Sequence, residues 1–176
     1  MNFLKKLFGR KKYVCSQCGK EHDEWPALTF NSPDNYHNLS KEDKETIAEI
    51  DTDLCIIKYP DQTDRFIRVT LTQLVNDNCE DLNYGVWVSL SEKSYNDYST
   101  NFGSNEGDIT YFGYLCNAIP EYEDTTSIHT TVYTRSDGYR PYVVPHESFD
   151  HPFVKDYYNG ISKAEAEKRI KAMMSK

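Results

Sequence analysis

The chain has 176 residues, 14% of them aromatic and 27% charged, a balance that fits one folded domain with a real core and excludes a disordered polymer. Its formal net charge of −8 is unevenly spread: residues 1–12 hold five basic groups and no acid, residues 163–176 hold five basic against two acidic, and the body between carries 10 basic against 26 acidic, a net −16. Such a body repels phosphate backbones, which argues against nucleic acid as its ligand and for a basic protein partner.

No apolar run approaches the roughly 18 residues a membrane helix needs, so stable membrane insertion is not expected. The opening run, with Phe3, Leu4, Leu7 and Phe8 among lysines, is too short and interrupted for a secretory signal. A cytoplasmic protein is therefore expected, with its five cysteines reduced.

In chain order, residues 1–12 form a basic leader, and a cysteine-bearing turn follows over 15–22. Ser40 opens a helix that is expected to reach about Ile50, with Asp43 placed to share in its cap. Residues 53–59 read as a strand stopped by Pro60, and 65–71 as its return, with Ile67, Val69 and Leu71 alternating against Arg68 and Thr70. Phe66 falls on the polar face and is expected to cover a second, smaller apolar patch. Residues 76–83 read as an acidic loop and 85–90 as a third strand, after which Ser89 or Ser91 caps a helix to about Tyr98. A loop over 103–108, an aromatic strand over 109–115 and an acidic loop over 119–126 come next. The strand at 128–134 turns at 136–138 and pairs back over 140–144, and His151 with Pro152 reads as a turn docked on the sheet. Ser162 caps a C-terminal helix, with Glu165 three residues on.

The pattern predicts an α+β fold: a mainly antiparallel sheet with flanking helices and an N-terminal CxxC knuckle. The expected organisation is a basic leader at 1–12, one domain at 13–161 and a C-terminal helix at 162–176.

The sharpest motif is Cys15-x-x-Cys18 followed by Gly19 and His22. Two thiols at that spacing bite one zinc ion, and Gly19 permits the tight knuckle turn. His22 supplies a third ligand for a structural zinc. The fourth must come from elsewhere, with Cys55, Cys116, His37 and His129 available. Cys55 and Cys116 sit in apolar runs and read as core thiols, whereas Cys79 reads as a loop thiol. His146, Asp150 and His151 are close in sequence and form a weaker metal motif. Arg135 and Arg140 flank a turn where two guanidinium forks can grip an anion.

The stretches Cys15-x-x-Cys18-Gly19-Lys20-Glu21-His22, Asp53-Leu54-Cys55-Ile56-Ile57, Gly85-Val86-Trp87-Val88-Ser89-Leu90-Ser91 and Tyr111-Phe112-Gly113-Tyr114-Leu115-Cys116-Asn117, then Arg140-Pro141 and Asp150-His151-Pro152, together resemble the bacterial family of uncharacterised proteins DUF2199 over about residues 13–161. The resemblance implies a bacterial protein and carries no activity with it.

No nucleophile elbow or phosphate loop is present. The expected function is a non-enzymatic acidic binding module of the immunity or regulatory type, with Tyr and Trp as interface anchors and a possible structural zinc. The alternative is an enzyme whose site assembles Cys116, His129, Arg135 and Arg140 from distant strands.

Overall fold

The computed structural model describes residues 12–14, 18–102, 109–136 and 138–174, with 13, 22 and 23 described by their backbone alone. The leader, apart from Lys12, and the expected loop at 103–108 lie outside the described residues.

Chain order runs β1 (Lys12–Val14), β2 (Glu21–Asp23), β3 (Leu28–Thr29), α1 (Asp34–His37), α2 (Lys41–Thr46), β4 (Ala48–Ile50), β5 (Leu54–Lys58), β6 (Thr63–Gln73), β7 (Leu82–Ser89), α3 (Glu92–Asn101), β8 (Thr110–Leu115), β9 (His129–Tyr133), β10 (Tyr142–Pro145), α4 (Pro152–Asn159) and α5 (Lys163–Met174). The chain is α+β as expected, but the sheet is not simply antiparallel. Strands β6, β7, β8, β9 and β10 pair in succession and β10 returns to β6, closing a barrel. In an up-and-down run of five strands the first and last point the same way, so the closing pair must be parallel; Tyr142 lies opposite Thr70, whose N–H donates to the Pro141 carbonyl at 2.9 Å. The length of β6 makes this possible. Its first half pairs with β5 and its second half leaves that edge open for β10.

The alternation expected for β6 holds. Ile67, Val69 and Leu71 point into the barrel, where they meet Leu82, Tyr84, Val86 and Val88 of β7 and Leu115, Val132 and Val143. Phe66 faces the other way and packs with Cys55, Ile57, Trp87 and Cys116 in a separate cluster, the second apolar patch its position predicted. Gly113 lets β8 approach β7, since a Cβ there would sit 2.9 Å from the Ser89 carbonyl oxygen. Buried Asn117 joins the two ends of this region. Its side-chain oxygen accepts the Trp87 N–H at 2.8 Å, and its amide donates to the Ser32 carbonyl and to Asp34.

Three expectations need correction. The helix opened by Ser40 does cap as predicted, with Ser40 Oγ accepting the Asp43 N–H at 3.0 Å, but it ends at Thr46 rather than near Ile50. The following residues form β4, which covers the exposed edge of β5, and that pairing outweighs helix propagation. The segment at 76–83 yields its end to β7, which begins at Leu82 because Leu82 and Tyr84 fill the barrel. His151 and Pro152 do not form an isolated turn. They start α4: His151 Nδ1 accepts the Phe153 N–H at 3.0 Å, and proline occupies the first helical turn, where its missing N–H costs nothing.

Helix α5 seats on the barrel through Ala166, Arg169 and Ile170. Arg169 is only 2% exposed. Its Nε donates to Glu165 at 3.0 Å, its Nη2 donates to the Tyr122 hydroxyl, and the guanidinium lies 4.8 Å from the Tyr122 ring centroid. The Tyr122 hydroxyl in turn donates to Asp156 of α4 at 2.5 Å. One side chain thus ties α5, α4 and the 119–126 loop together. Glu165 and Asp156 both keep contact with water, so removing the cation costs less than breaking a wholly buried pair. Arg169→Ala is expected to lower unfolding free energy by about 2–4 kcal/mol through lost packing and pairing. Urea denaturation of the two proteins measures this, and an unchanged midpoint would refute the role.

Candidate functional site

On the outer face of the barrel, β8, β9 and β10 present three rows of side chains. Register places Thr110 beside Tyr133 and Tyr142, Phe112 beside Thr131 and Val144, and Tyr114 beside His129, which the His146 N–H joins through the His129 carbonyl at 2.8 Å. None of these nine positions is Asp, Glu, Lys or Arg, in a chain where those four types make up 27% of residues. Strand alternation explains the geometry. The inward partners Tyr111, Leu115, Thr130, Val132 and Val143 are buried, so the intervening side chains must face out.

The face is aromatic and open. Phe112 is 46% exposed, Tyr114 43% and Tyr142 37%. Phe112 packs edge-on against Tyr114, His129 and His146 with centroids at 5.0, 5.4 and 5.6 Å, and His129 meets Phe149 at 5.0 Å. Tyr133 and Tyr142 stack at 5.0 Å, and the Arg135 guanidinium lies 5.1 Å from the Tyr142 centroid. His146 Nε2 and the Thr131 hydroxyl are 2.9 Å apart, which fixes the ring's orientation. A shallow concavity continues the face toward Glu147, Ser148 and Tyr158, where the Tyr158 hydroxyl donates to the Pro145 carbonyl. Rings already held by their neighbours lose little freedom on binding, and contiguous exposed apolar surface of this kind marks interaction sites.

The family model for DUF2199, described as uncharacterized protein conserved in bacteria, matches residues 14–161. The chain belongs to this family. Neither the curated proteins nor the solved structures contain a match to it.

In this DUF2199 chain the four residues of the enzyme alternative are separated. Cys116 is buried in the Trp87 cluster, with its thiol donating to the Tyr114 carbonyl at 3.2 Å. His129 stands on the aromatic face, Arg135 over Tyr142, and Arg140 donates to Asp53 at 2.5 Å. The concavity beside α4 contains none of the four, and a smaller one beside Tyr98 and Tyr111 contains Arg135 alone. The weaker metal motif also disperses: His146 joins the aromatic rings, Asp150 pairs with Lys155 at 2.7 Å, and His151 caps α4.

Of the predicted zinc ligands, Cys15 lies outside the described residues, His22 is described by backbone alone, and Cys18 is exposed. Around them, β1 and β2 pair antiparallel, with Val14 opposite Glu21 and Tyr13 opposite His22, so the Cys15-x-x-Cys18 motif occupies the connection of a hairpin. Gly19 adopts φ +68°, the left-handed conformation expected of the residue that closes such a knuckle. Among the described residues alone, no group of three His, Cys, Asp or Glu is placed to hold a metal.

Sequence reading marked 109–115 as aromatic but did not make it the site. The signal was present in Phe112 and Tyr114, where aromatic residues take positions that an outward strand face ordinarily gives to polar side chains.

Cys55 and Cys116 are core thiols, as their sequence settings predicted. Burial pushes each thiol up from 9.0 to about 12. Folding therefore holds their protons; this stabilisation is complete below about pH 9 and is lost as pH rises toward 12. At pH 8 both are expected to react with iodoacetamide on the order of 1,000-fold more slowly in the folded protein than in urea, as mapped by mass spectrometry. Rapid native labelling of Cys116 would restore it as a candidate nucleophile.

Proposed function

We propose that this protein is a non-enzymatic binding module of the immunity or regulatory type, acting in the cytoplasm, and that it docks a basic protein partner on the β8–β9–β10 face. The observation that carries the reading is the uncharged aromatic face in an otherwise strongly acidic body. Acidic surroundings attract a cationic chain at a distance, and aromatic faces accept its guanidinium and ammonium groups at contact. Arg135 over Tyr142 is an internal example of that contact. The same net charge argues against nucleic acid, despite exposed rings that would otherwise suit base stacking. The hairpin geometry and the positive φ of Gly19 support a structural zinc on Cys15, Cys18 and His22 as part of this reading. The enzyme alternative gains no comparable support.

The test is affinity capture from cells at low salt, followed by titration of the captured partner against purified wild type and a Phe112→Ala/Tyr114→Ala variant. Both side chains are open to water, so the variant should fold with near-normal stability. The expected result is a stoichiometric basic partner whose affinity falls about 10- to 100-fold in the variant and weakens as salt rises. An acidic partner, or a basic one bound equally by the variant, would overturn the proposal.

A further inference from the structure

We infer that the groove between the end of β10 and α4 seats one arginine side chain of the basic partner, its guanidinium on the Glu147 carboxylate and its stem between Tyr133 and Tyr158. This rests on the docking reading given above and names the chemical group that anchors the partner.

The path of the chain makes the groove. Strand β10 ends at Pro145, the Phe149 N–H closes back on the His146 carbonyl at 3.0 Å, and the chain then enters α4. Tyr158, near the far end of that helix, returns to the strand, where its hydroxyl donates to the Pro145 carbonyl at 2.7 Å. The result is an open groove of about 670 Å³ lined by Tyr133 of β9, Val144 and Pro145 of β10, His146, Glu147 and Tyr158. A groove of that size takes a long side chain together with the backbone that carries it. Its rings are held before any ligand arrives. Tyr133 stacks on Tyr142 at 5.0 Å, Tyr158 meets Tyr157 at 5.1 Å, and His146 Nε2 lies 2.9 Å from the Thr131 hydroxyl.

Charge decides the occupant. Among the described residues lining the groove, Glu147 is the one Asp, Glu, Lys or Arg, and it is exposed. Among the described residues it pairs with no cation, and Lys155 of α4 is taken by Asp150 at 2.7 Å. Burial, with the Glu147 carboxylate acting beside it, pushes the Tyr158 phenol up from its ordinary value. An anion is repelled here, and an apolar side chain would strip water from the carboxylate without replacing it. A cation does neither. Of the two long cations, arginine fits better. A flat guanidinium lies along a tyrosine ring and turns its fork of N–H groups to a carboxylate, whereas an ammonium is a compact, strongly hydrated point charge. The chain already seats a guanidinium on a tyrosine of this face, with Arg135 at 5.1 Å from the Tyr142 centroid.

The test uses the full isotope-labelled chain, as wild type and Glu147→Gln, and needs no partner. N-acetylarginine methylamide, its uncharged isostere N-acetylcitrulline methylamide and N-acetyllysine methylamide are each titrated and read by amide chemical shifts. The arginine probe is expected to shift the amides of Val144, His146, Glu147 and Tyr158 saturably. It should bind Glu147→Gln about 5-fold more weakly, the loss of one partly exposed ion pair. The citrulline and lysine probes should bind the wild type more weakly than the arginine probe does. No saturable shift in the groove overturns the inference, as does equal affinity for arginine and either other probe, or equal arginine affinity in the two proteins. The docking reading fails separately, in the capture experiment. A basic partner that is lost by Phe112→Ala/Tyr114→Ala but bound equally by Glu147→Gln removes the groove and leaves the aromatic face standing.

Discussion

The divided edge of β6 is the constraint on which the remaining architecture depends. One strand of 11 residues gives its first half to β5 and its second half to β10, while β7 pairs along it from Phe66 to Gln73. A shorter β6 would leave β10 paired to β9 alone and the barrel open. Because the strand twists along its length, the two halves of one edge face different directions, so the β4–β5 extension peels away while the meander curls into a barrel. Closure leaves only the short strands β3 and β4 as edges of the sheet and makes the outside of β8, β9 and β10 a convex surface. The aromatic face follows from this. Strands that must bury one set of side chains have no choice but to display the other.

Two cores arise from the same division. Inside the barrel, Ile67, Val69 and Leu71 meet the apolar residues of β7 to β10. Behind it, Phe66, Trp87, Cys55 and Cys116 pack beneath the β4–β5 extension. Trp87 is therefore a core residue whose indole N–H donates to the Phe30 carbonyl at 3.1 Å, not an interface anchor. Interface chemistry falls to tyrosine, phenylalanine and histidine instead.

How much was legible in the sequence follows from which forces are local. The β5–β6 hairpin, the Ser40, Ser91 and Ser162 caps and the second patch under Phe66 were legible, because periodicity and capping act over a few residues. Barrel closure was not, since it pairs Thr70 with Tyr142 across the chain and leaves no short-range mark. Helix α4 escaped because its cap is a histidine and its apolar residues, Phe153, Val154 and Tyr157, sit among prolines and acids that resemble a loop. Of the site, the aromatic content was visible but its one-sidedness was not, as it depends on three strands in register.

The separation of charge from the aromatic face has a physical consequence for recognition. Charges at a contact must be stripped of water, and that penalty often cancels their attraction. Here the rows of β8, β9 and β10 hold no Asp, Glu, Lys or Arg, and Arg135 over Tyr142 is a charge that a partner covering this face would meet. Attraction and adhesion are thereby divided between different residues. In the proposed reading long-range charge would set how often a cationic partner arrives and make that rate sensitive to salt. In the proposed reading the rings of Phe112, Tyr114, Tyr133 and Tyr142 would set how long it stays, through packing that salt scarcely alters. A surface arranged this way selects partners by charge and retains them by shape, and neither property requires a catalytic group.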